Sequence, residues 1–241
     1  MKRTIIIMAK VPRAGNVKTR LQPFLSPEQC GALAEVFLSD TINKTRNVCD
    51  ELIIAYTPAR EKNYFADLTG ENLTLIEQNG ADLGERMINA FEFAFGINSD
   101  AKVVMIGTDS PTFPAEFIEQ AFDALELNSE TVLGKSEDGG FYLIGLRKNL
   151  PRLFDNIEWS SSLVFDQITR NIKNLKIELK LIPDWYDVDI PNDLWRLRDE
   201  ISSSERIQKL TAQTYQWLIS NSEIFRSNPN SFLISESGNK F

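Results

Sequence analysis

The chain has 241 residues, a formal net charge of −8 and no histidine. The acidic balance argues against nucleic acid as a general partner, and the missing imidazole excludes histidine bases, Ser-His-Asp triads and histidine metal sites. Its two cysteines, Cys30 and Cys49, read as buried thiols on one helix, too far apart to pair around zinc and suited to a reducing cytoplasm. The first apolar run, Thr4–Ala9, is interrupted at Lys10 and is too short for a signal-peptide core. No run is long enough to span a bilayer, so membrane insertion is not expected and a cytoplasmic protein is.

Ser26-Pro27-Glu28-Gln29 follows as a capping box with proline at the first helical position, and Leu33, Val36 and Phe37 supply the apolar stripe of that helix. Strands are predicted at Glu51–Tyr56 and Leu73–Glu77. Asp82-Leu83-Gly84-Glu85 then opens a second helix, carrying Met87, Ile88, Phe91, Ala94 and Phe95. After a strand at Lys102–Ile106, Pro114 opens a third helix bearing Phe117, Ile118, Ala121, Phe122 and Leu125. Strands at Thr131–Gly134, Phe141–Leu146 and Ile177–Ile182 come next, and then helices over 191–201 and 205–219. Apolar runs alternating with helical periods predict an α/β fold: a mainly parallel central sheet with helices on both faces. One domain over 1–222 is the economical reading, with a polar, loosely held tail over 223–241.

Four segments carry chemistry. Lys10-Val11-Pro12-Arg13-Ala14-Gly15-Asn16-Val17-Lys18-Thr19-Arg20 sets four cations in a loop directly after the first strand, where open α/β sheets bind ligands. Lys10, Arg13, Lys18 and Arg20 suit a di- or triphosphate, although a solvated basic loop has the same composition. The segment lacks the glycine of a P-loop, and no G-x-G-x-x-G occurs in the chain.

Gly107-Thr108-Asp109-Ser110-Pro111 ends a strand with a carboxylate. Beside a diphosphate, Asp109 makes electrostatic sense with a divalent cation between them; alternatively it caps the next helix. Glu137-Asp138-Gly139-Gly140 reads either as an ordinary tight turn between two strands or as a close approach to ligand, with Asp138 or Glu137 orienting or deprotonating an acceptor hydroxyl. Asp187 and Asp189 alternate on an extended stretch and so share a face. There they would repel without a cation, and one of the acids near Pro191 also serves as a helix cap. Without histidine any metal is held by oxygens, which points to Mg²⁺ or Mn²⁺.

In this order the segments resemble a family of bacterial proteins loosely described as glycosyltransferases or nucleotide-diphospho-sugar transferases, one branch of which is linked by name to arsenosugar biosynthesis. The resemblance rests on Ala9-Lys10-x-Pro12-x-x-Gly15-x-Val17-Lys18-Thr19-Arg20-Leu21, Asp82-Leu83-Gly84-Glu85-Arg86-Met87, Gly107–Pro111, Glu137–Leu146 and Asp187-Val188-Asp189. It covers residues 4–200, and it extends in outline to guanylyltransferases. It implies a GT-A fold, that of the nucleotide-diphospho-sugar transferases. By position Lys10, Arg13, Lys18 and Arg20 would hold phosphates, with Arg86 near the nucleotide. Asp109 would hold the metal, with Asp187 or Asp189 as second ligand. The chain departs from the family pattern at Lys135-Ser136 and at Ile190-Pro191-Asn192.

The expected function is metal-dependent glycosyl transfer from a nucleoside-diphosphate sugar to a small-molecule hydroxyl. Mg²⁺ or Mn²⁺ and the basic loop would stabilise the leaving diphosphate while Asp138 handles the acceptor. The alternative is a nucleotidyltransferase that releases pyrophosphate from a nucleoside triphosphate, using the same loop and acids. A third reading is a non-catalytic nucleotide-binding module. The base, the sugar, the acceptor and any homo-oligomer are left open.

Overall fold

The apolar runs rich in isoleucine, valine and leucine become the strands of one seven-stranded sheet. They are β1 (Arg3–Lys10), β2 (Glu51–Thr57), β3 (Thr74–Glu77), β4 (Lys102–Ile106), β5 (Thr131–Ser136), β6 (Phe141–Leu146) and β7 (Leu179–Trp185). The computed structural model describes residues 1–69 and 73–226. The strand order is β3-β2-β1-β4-β6-β5-β7. Only β6 runs against its neighbours, β4 and β5, and every other pairing is parallel.

Three consecutive residues of β1, Ile5, Ile6 and Ile7, are each 0% exposed. Successive strand residues point to opposite faces, so both faces of the sheet centre are covered, as a mainly parallel sheet requires. The helices are α1 (Pro27–Thr45), α2 (Lys62–Thr69), α3 (Leu83–Ile97), α4 (Ala115–Leu127), α5 (Val164–Asn174), α6 (Pro191–Ser203), α7 (Glu205–Leu210) and α8 (Ala212–Ser220). None of these is long and apolar enough to cross a membrane.

The legible helix starts form as their residues dictate. Ser26 Oγ accepts the Gln29 N–H at 3.2 Å while Gln29 Oε1 accepts the Ser26 N–H at 2.9 Å, a reciprocal capping box. Asp82 Oδ1 accepts the Glu85 N–H at 2.9 Å, and Glu85 reaches one residue further back, to the Ala81 N–H at 2.7 Å.

Two helices, α2 and α5, go beyond the sequence expectation. The polar segment of α5 hides Val164, Phe165, Ile168 and Ile172, all buried on one side. The expected helix over 205–219 divides at Thr211, whose hydroxyl donates to the Ile207 carbonyl at 2.8 Å and so competes with the helical ladder. The cysteines also do not share a helix: Cys30 lies in α1, whereas Cys49 follows its last residue, Thr45. Chain contacts divide the protein into two units, each made of two separated stretches: Met1–Val11 with Thr41–Asp187, and Pro12–Asp40 with Val188 onward.

The first unit contains the whole sheet. Its core includes Ile6, Ile53, Met105, Leu133 and Ile144 from the strands, with Phe91, Phe154 and Ile168. Phe91 stacks on Phe95 and Phe154 with ring centroids 6.4 and 6.1 Å apart.

The second unit is helical. Trp195 of α6 stands at its centre, with Phe24 5.9 Å away and Phe225 edge-on at 5.0 Å. Asp40, only 2% exposed, caps α8: its carboxylate accepts the N–H groups of Gln213 and Thr214 at 3.0 and 2.8 Å. The expected loose tail begins as a short 3-10 turn, Ser222–Arg226, and its residues 227–241 lie outside the described residues.

Candidate active site

Strand order brings the first unit's chemistry to one edge. The chain leaves β1 toward β2 and leaves β4 toward β5, on opposite sides, so the carboxyl ends of the adjacent β1 and β4 flank the crevice where such sheets bind ligands. Lys10 ends β1 and is exposed. Gly107-Thr108-Asp109-Ser110 follows β4. Since β5 and β7 run parallel to each other and antiparallel to β6, which itself opposes β4, Ser136 at the end of β5 and Asp187 just past β7 share this edge.

Asp187 organises the edge. One of its oxygens accepts the Ser110 hydroxyl and the other accepts the Ser136 hydroxyl. Both serines are buried. Burial pushes the Asp187 carboxyl up to about 6; the two hydroxyls oppose this, and the neighbouring Asp109 and Asp138 carboxylates add to it. Asp109 and Asp138 are themselves exposed.

The backbone under Asp109 is held from below. Lys44 in the last turn of α1 is 6% exposed, donates to the carbonyl oxygens of Pro111 and Phe113 at 2.9 and 3.0 Å, and lies 3.6 Å from the Phe113 ring centroid. At the neighbouring edge Gln78 Nε2 donates to the Ala55 and Ala9 carbonyls at 2.8 and 3.3 Å, tying β1 to β2.

The Asp138 turn is a genuine tight turn in the β5–β6 hairpin. Asp138 Oδ1 accepts the Gly140 N–H at 2.9 Å, and Gly139 sits at φ +93°. The Gly139 carbonyl accepts the Phe165 N–H at 2.9 Å, which docks the turn on the start of α5. Arg86, on the first turn of α3, donates from Nε to the Gly80 carbonyl at 3.2 Å and so closes the loop before its own helix.

The second unit carries the rest of the basic loop. Gly15 takes φ +81° and Lys18 φ +49°. The loop runs close to α1: a Cβ on Gly31 would lie 3.2 Å from Pro12 O and Ala14 N. Arg13 and Arg20 are exposed. The Lys18 side chain is 4% exposed; it donates to the Val188 carbonyl at 2.7 Å and to Asp189 Oδ1 at 3.2 Å, 5.5 Å from the Phe37 ring centroid. Arg20 lies 4.0 Å from the same Asp189 carboxylate. Asp193, the third residue of α6, accepts the N–H groups of Asp189 and of the N-cap Ile190, both at 2.9 Å.

The expected pair of acids therefore separates by partner: Asp187 has hydroxyls and other acids around it, and Asp189 has cations. Lys18 is engaged within the loop's own unit. Sequence reasoning missed Lys44, Gln78 and the hydrogen bond from Ser136 to Asp187; Ser136 stood out only as a departure from a family pattern. A hydroxyl at the last position of a strand ending on the ligand edge was the available signal.

Among the described residues no three acidic or cysteine side chains form a ready metal cluster. Magnesium does not need one: it is commonly bound by one or two carboxylates with substrate phosphates and water completing its shell. Asp109 and Asp187 would offer that oxygen-only set, and the cost of a charged, partly desolvated Asp187 beside two other acids is what a divalent cation would relieve. The donor chemistry fits.

Comparison with known proteins places this edge in context. A solved structure from Desulfovibrio desulfuricans G20, a candidate nucleotide-diphospho-sugar transferase by name, matches with a TM-score of 0.87 and 32% identity, covering 94% of this chain and 98% of that one. Two curated 2-phospho-L-lactate guanylyltransferases are also similar. The protein of Methanobrevibacter smithii is 28% identical over 131 residues, 54% of this chain and 56% of that protein. That of Methanosphaera stadtmanae is 22% identical over 198 residues, 79% of this chain and 82% of its own length. These relatives are transferases. The model of a bacterial family described as "uncharacterized protein conserved in bacteria (DUF2064)" matches residues 41–161, which takes in β2 to β6 with Asp109 and Asp138, and the chain belongs to that family.

Proposed function

We propose that this protein is a nucleotidyltransferase: it moves a nucleoside monophosphate from a nucleoside triphosphate to an oxygen of a small-molecule acceptor and releases pyrophosphate. The observation that carries the reading is the Asp187 carboxylate, held by Ser110 and Ser136 and close enough to Asp109 and Asp138 to feel their charge, in a chain whose curated relatives are guanylyltransferases. The acceptor oxygen forms a bond to the α-phosphorus, the bond from that phosphorus to the bridging oxygen breaks, and the electron pair leaves with pyrophosphate.

In this reading Asp109 and Asp187 are the ligands for Mg²⁺ or Mn²⁺, and Asp189, ion-paired with Lys18, is left out of the set. The metal would supply Lewis-acid stabilisation of the charge on the phosphate oxygens. Lys10, Arg13 and Arg20 are the proposed phosphate ligands by their chemistry and exposure, and Ser110 and Ser136 hold the Asp187 carboxylate in place. Asp138 orients an acceptor hydroxyl or takes its proton. We take residues 1–222 as one functional domain acting in the cytoplasm, where Cys30 and Cys49 stay as thiols.

A second reading, glycosyl transfer from a nucleoside-diphosphate sugar, is favoured by the name of the Desulfovibrio structure. Products separate the two. The protein is incubated with each nucleoside triphosphate or nucleotide-sugar, Mg²⁺ or Mn²⁺ and a panel of phosphorylated and hydroxylated acceptors, and the products are followed by phosphorus NMR. Acceptor-dependent pyrophosphate supports nucleotidyl transfer. Nucleoside diphosphate from a nucleotide-sugar replaces that reading with the second, and saturable binding without either product leaves a binding module.

A further inference from the structure

The opposite end of the sheet holds a feature that the proposed reaction does not use. A pocket of about 540 Å³ opens there, lined by Met1, Ser99, Asp100, Lys102, Glu130, Arg147 and Lys148. Its volume is within the range of small-molecule sites. All seven residues belong to the sheet unit.

Lys102 opens β4 and is only 5% exposed. Among the described residues its ammonium has a single hydrogen bond, to the Asp100 carbonyl at 3.2 Å, and no ion pair. Buried lysines are ordinarily paired, because desolvating an ammonium is costly. The antiparallel register sets Val103 opposite Leu146, which puts Arg147, the next residue after β6, across from Lys102. Like charges directly opposite on neighbouring strands repel.

Among the described residues the nearby acids form no ion pair with either cation, although Asp100 and Glu126 act on Lys102, and Glu130 on Arg147, at longer range. Glu130 is ion-paired with Lys148, and Glu126 with Arg3 at 2.7 Å. Asp100 is exposed and touches Lys102 through its backbone carbonyl. Arg147 has one long hydrogen bond, from Nη1 to the Leu127 carbonyl at 3.4 Å. Two cations thus face each other across a pocket, neither in an ion pair among the described residues.

The geometry points to an anion site in this pocket, in which Lys102 and Arg147 together bind a small phosphate-bearing ligand away from the reaction edge. Lysine gives the point charge, the arginine fork grips two oxygens, and an anion between them turns a repulsive pair into two attractive ones.

The test is a calorimetric titration of inorganic phosphate and of pyrophosphate into the whole protein, without nucleotide. Two variants, Lys102→Met and Arg147→Gln, probe the pocket, and Arg20→Ala serves as the control for phosphate held by the basic loop. In an Arg20→Ala background, which weakens phosphate held by the basic loop, loss of one hydrogen-bonding charge should weaken the remaining binding about tenfold or more in both pocket variants. Unchanged affinity in Arg147→Gln, a half-exposed position where folding is not at stake, overturns the proposal even if Lys102→Met fails to fold. Binding that disappears only in Arg20→Ala also overturns it.

Discussion

The Lys44 ammonium donates to the Pro111 carbonyl at 2.9 Å, joining the last turn of α1 to the loop that carries Asp109. The side chain is buried and has a second acceptor in Phe113. Replacing it by methionine keeps the volume but leaves two carbonyls without their donor. Lys44→Met should cost about 2 kcal/mol in urea unfolding and should lower kcat more than it raises KM, with partial rescue by Lys44→Arg. An effect on stability with unaltered turnover would make Lys44 purely structural.

Asp187 should leave a mark on the pH dependence of stability in the metal-free protein. Its carboxyl is pushed up to about 6 from an ordinary 3.8, chiefly by burial. The native state therefore binds this proton more tightly than the unfolded chain does. The group's contribution is fully present below 3.8 and is lost as pH rises through 6. Asp187→Asn should flatten the fall in melting temperature across that window and make the variant the more stable protein above it. A wild-type profile that rises with pH there in the same comparison would contradict the assignment.

Asp109 is exposed, so its carboxylate can be removed without disturbing the core. Asp109→Asn should melt within a degree or so of wild type while losing metal-dependent turnover. Its nucleotide-induced rise in melting temperature with Mg²⁺ should also shrink. In the wild type a ligand at 100 times its Kd adds about 2.7 kcal/mol. Full activity in this variant would remove Asp109 from the metal set.

Lys18 and Arg20 touch the same carboxylate and should behave differently. The Lys18 side chain is 4% exposed and that of Arg20 72%. Lys18→Met should lose roughly 1–2 kcal/mol, because Asp189 and the Val188 carbonyl lose a shielded donor. Arg20→Ala should leave stability unchanged, weaken nucleotide binding and reduce its salt dependence. Equal stability effects in urea titrations would mean that burial does not distinguish them.

Gly139 is the least replaceable residue of the Asp138 turn. At φ +93° a side chain costs roughly 1–3 kcal/mol in backbone strain alone, and a Cβ there would fall 2.2 Å from the Ser162 carbonyl oxygen. Gly139→Ala should push the turn off α5 and move Asp138. Lower stability with a selective rise in the acceptor KM is the expected pattern. Gly15→Ala, where nothing lies within 4 Å, should show the strain without the clash.

Strand positions were readable because strands covered on both faces are written as continuous apolar runs: Lys102–Ile106 and even the antiparallel Phe141–Leu146 appear with the bounds their residues suggest. The capping boxes at Ser26 and Asp82 were equally plain. α5 was not, since its four apolar side chains sit in a segment of mostly polar residues with no side-chain cap to announce it. In the site, sequence picked out the acids and bases that edge the sheet, yet it could not tell which would pair. Asp187 and Asp189 look equivalent along an extended strand. They diverge because one meets serines delivered by β4 and β5 and the other meets a lysine delivered by the basic loop, and those deliveries depend on contacts distant in sequence. Lys44 was invisible for the same reason.

The cap that Asp40 places on α8 has a consequence for how the protein is made. Its acceptor oxygens find their N–H partners 173 and 174 residues later in the chain. During synthesis the first half of the helical unit emerges early and must wait, with a carboxylate destined for burial still solvated, until translation has passed the entire 41–187 stretch of the sheet unit. The helical unit can therefore close only after the sheet unit has been synthesised. A chain cut short after β7 would retain all seven strands, but it would leave the Asp40 carboxylate without the N–H groups of α8 and Gln29 without Asn221.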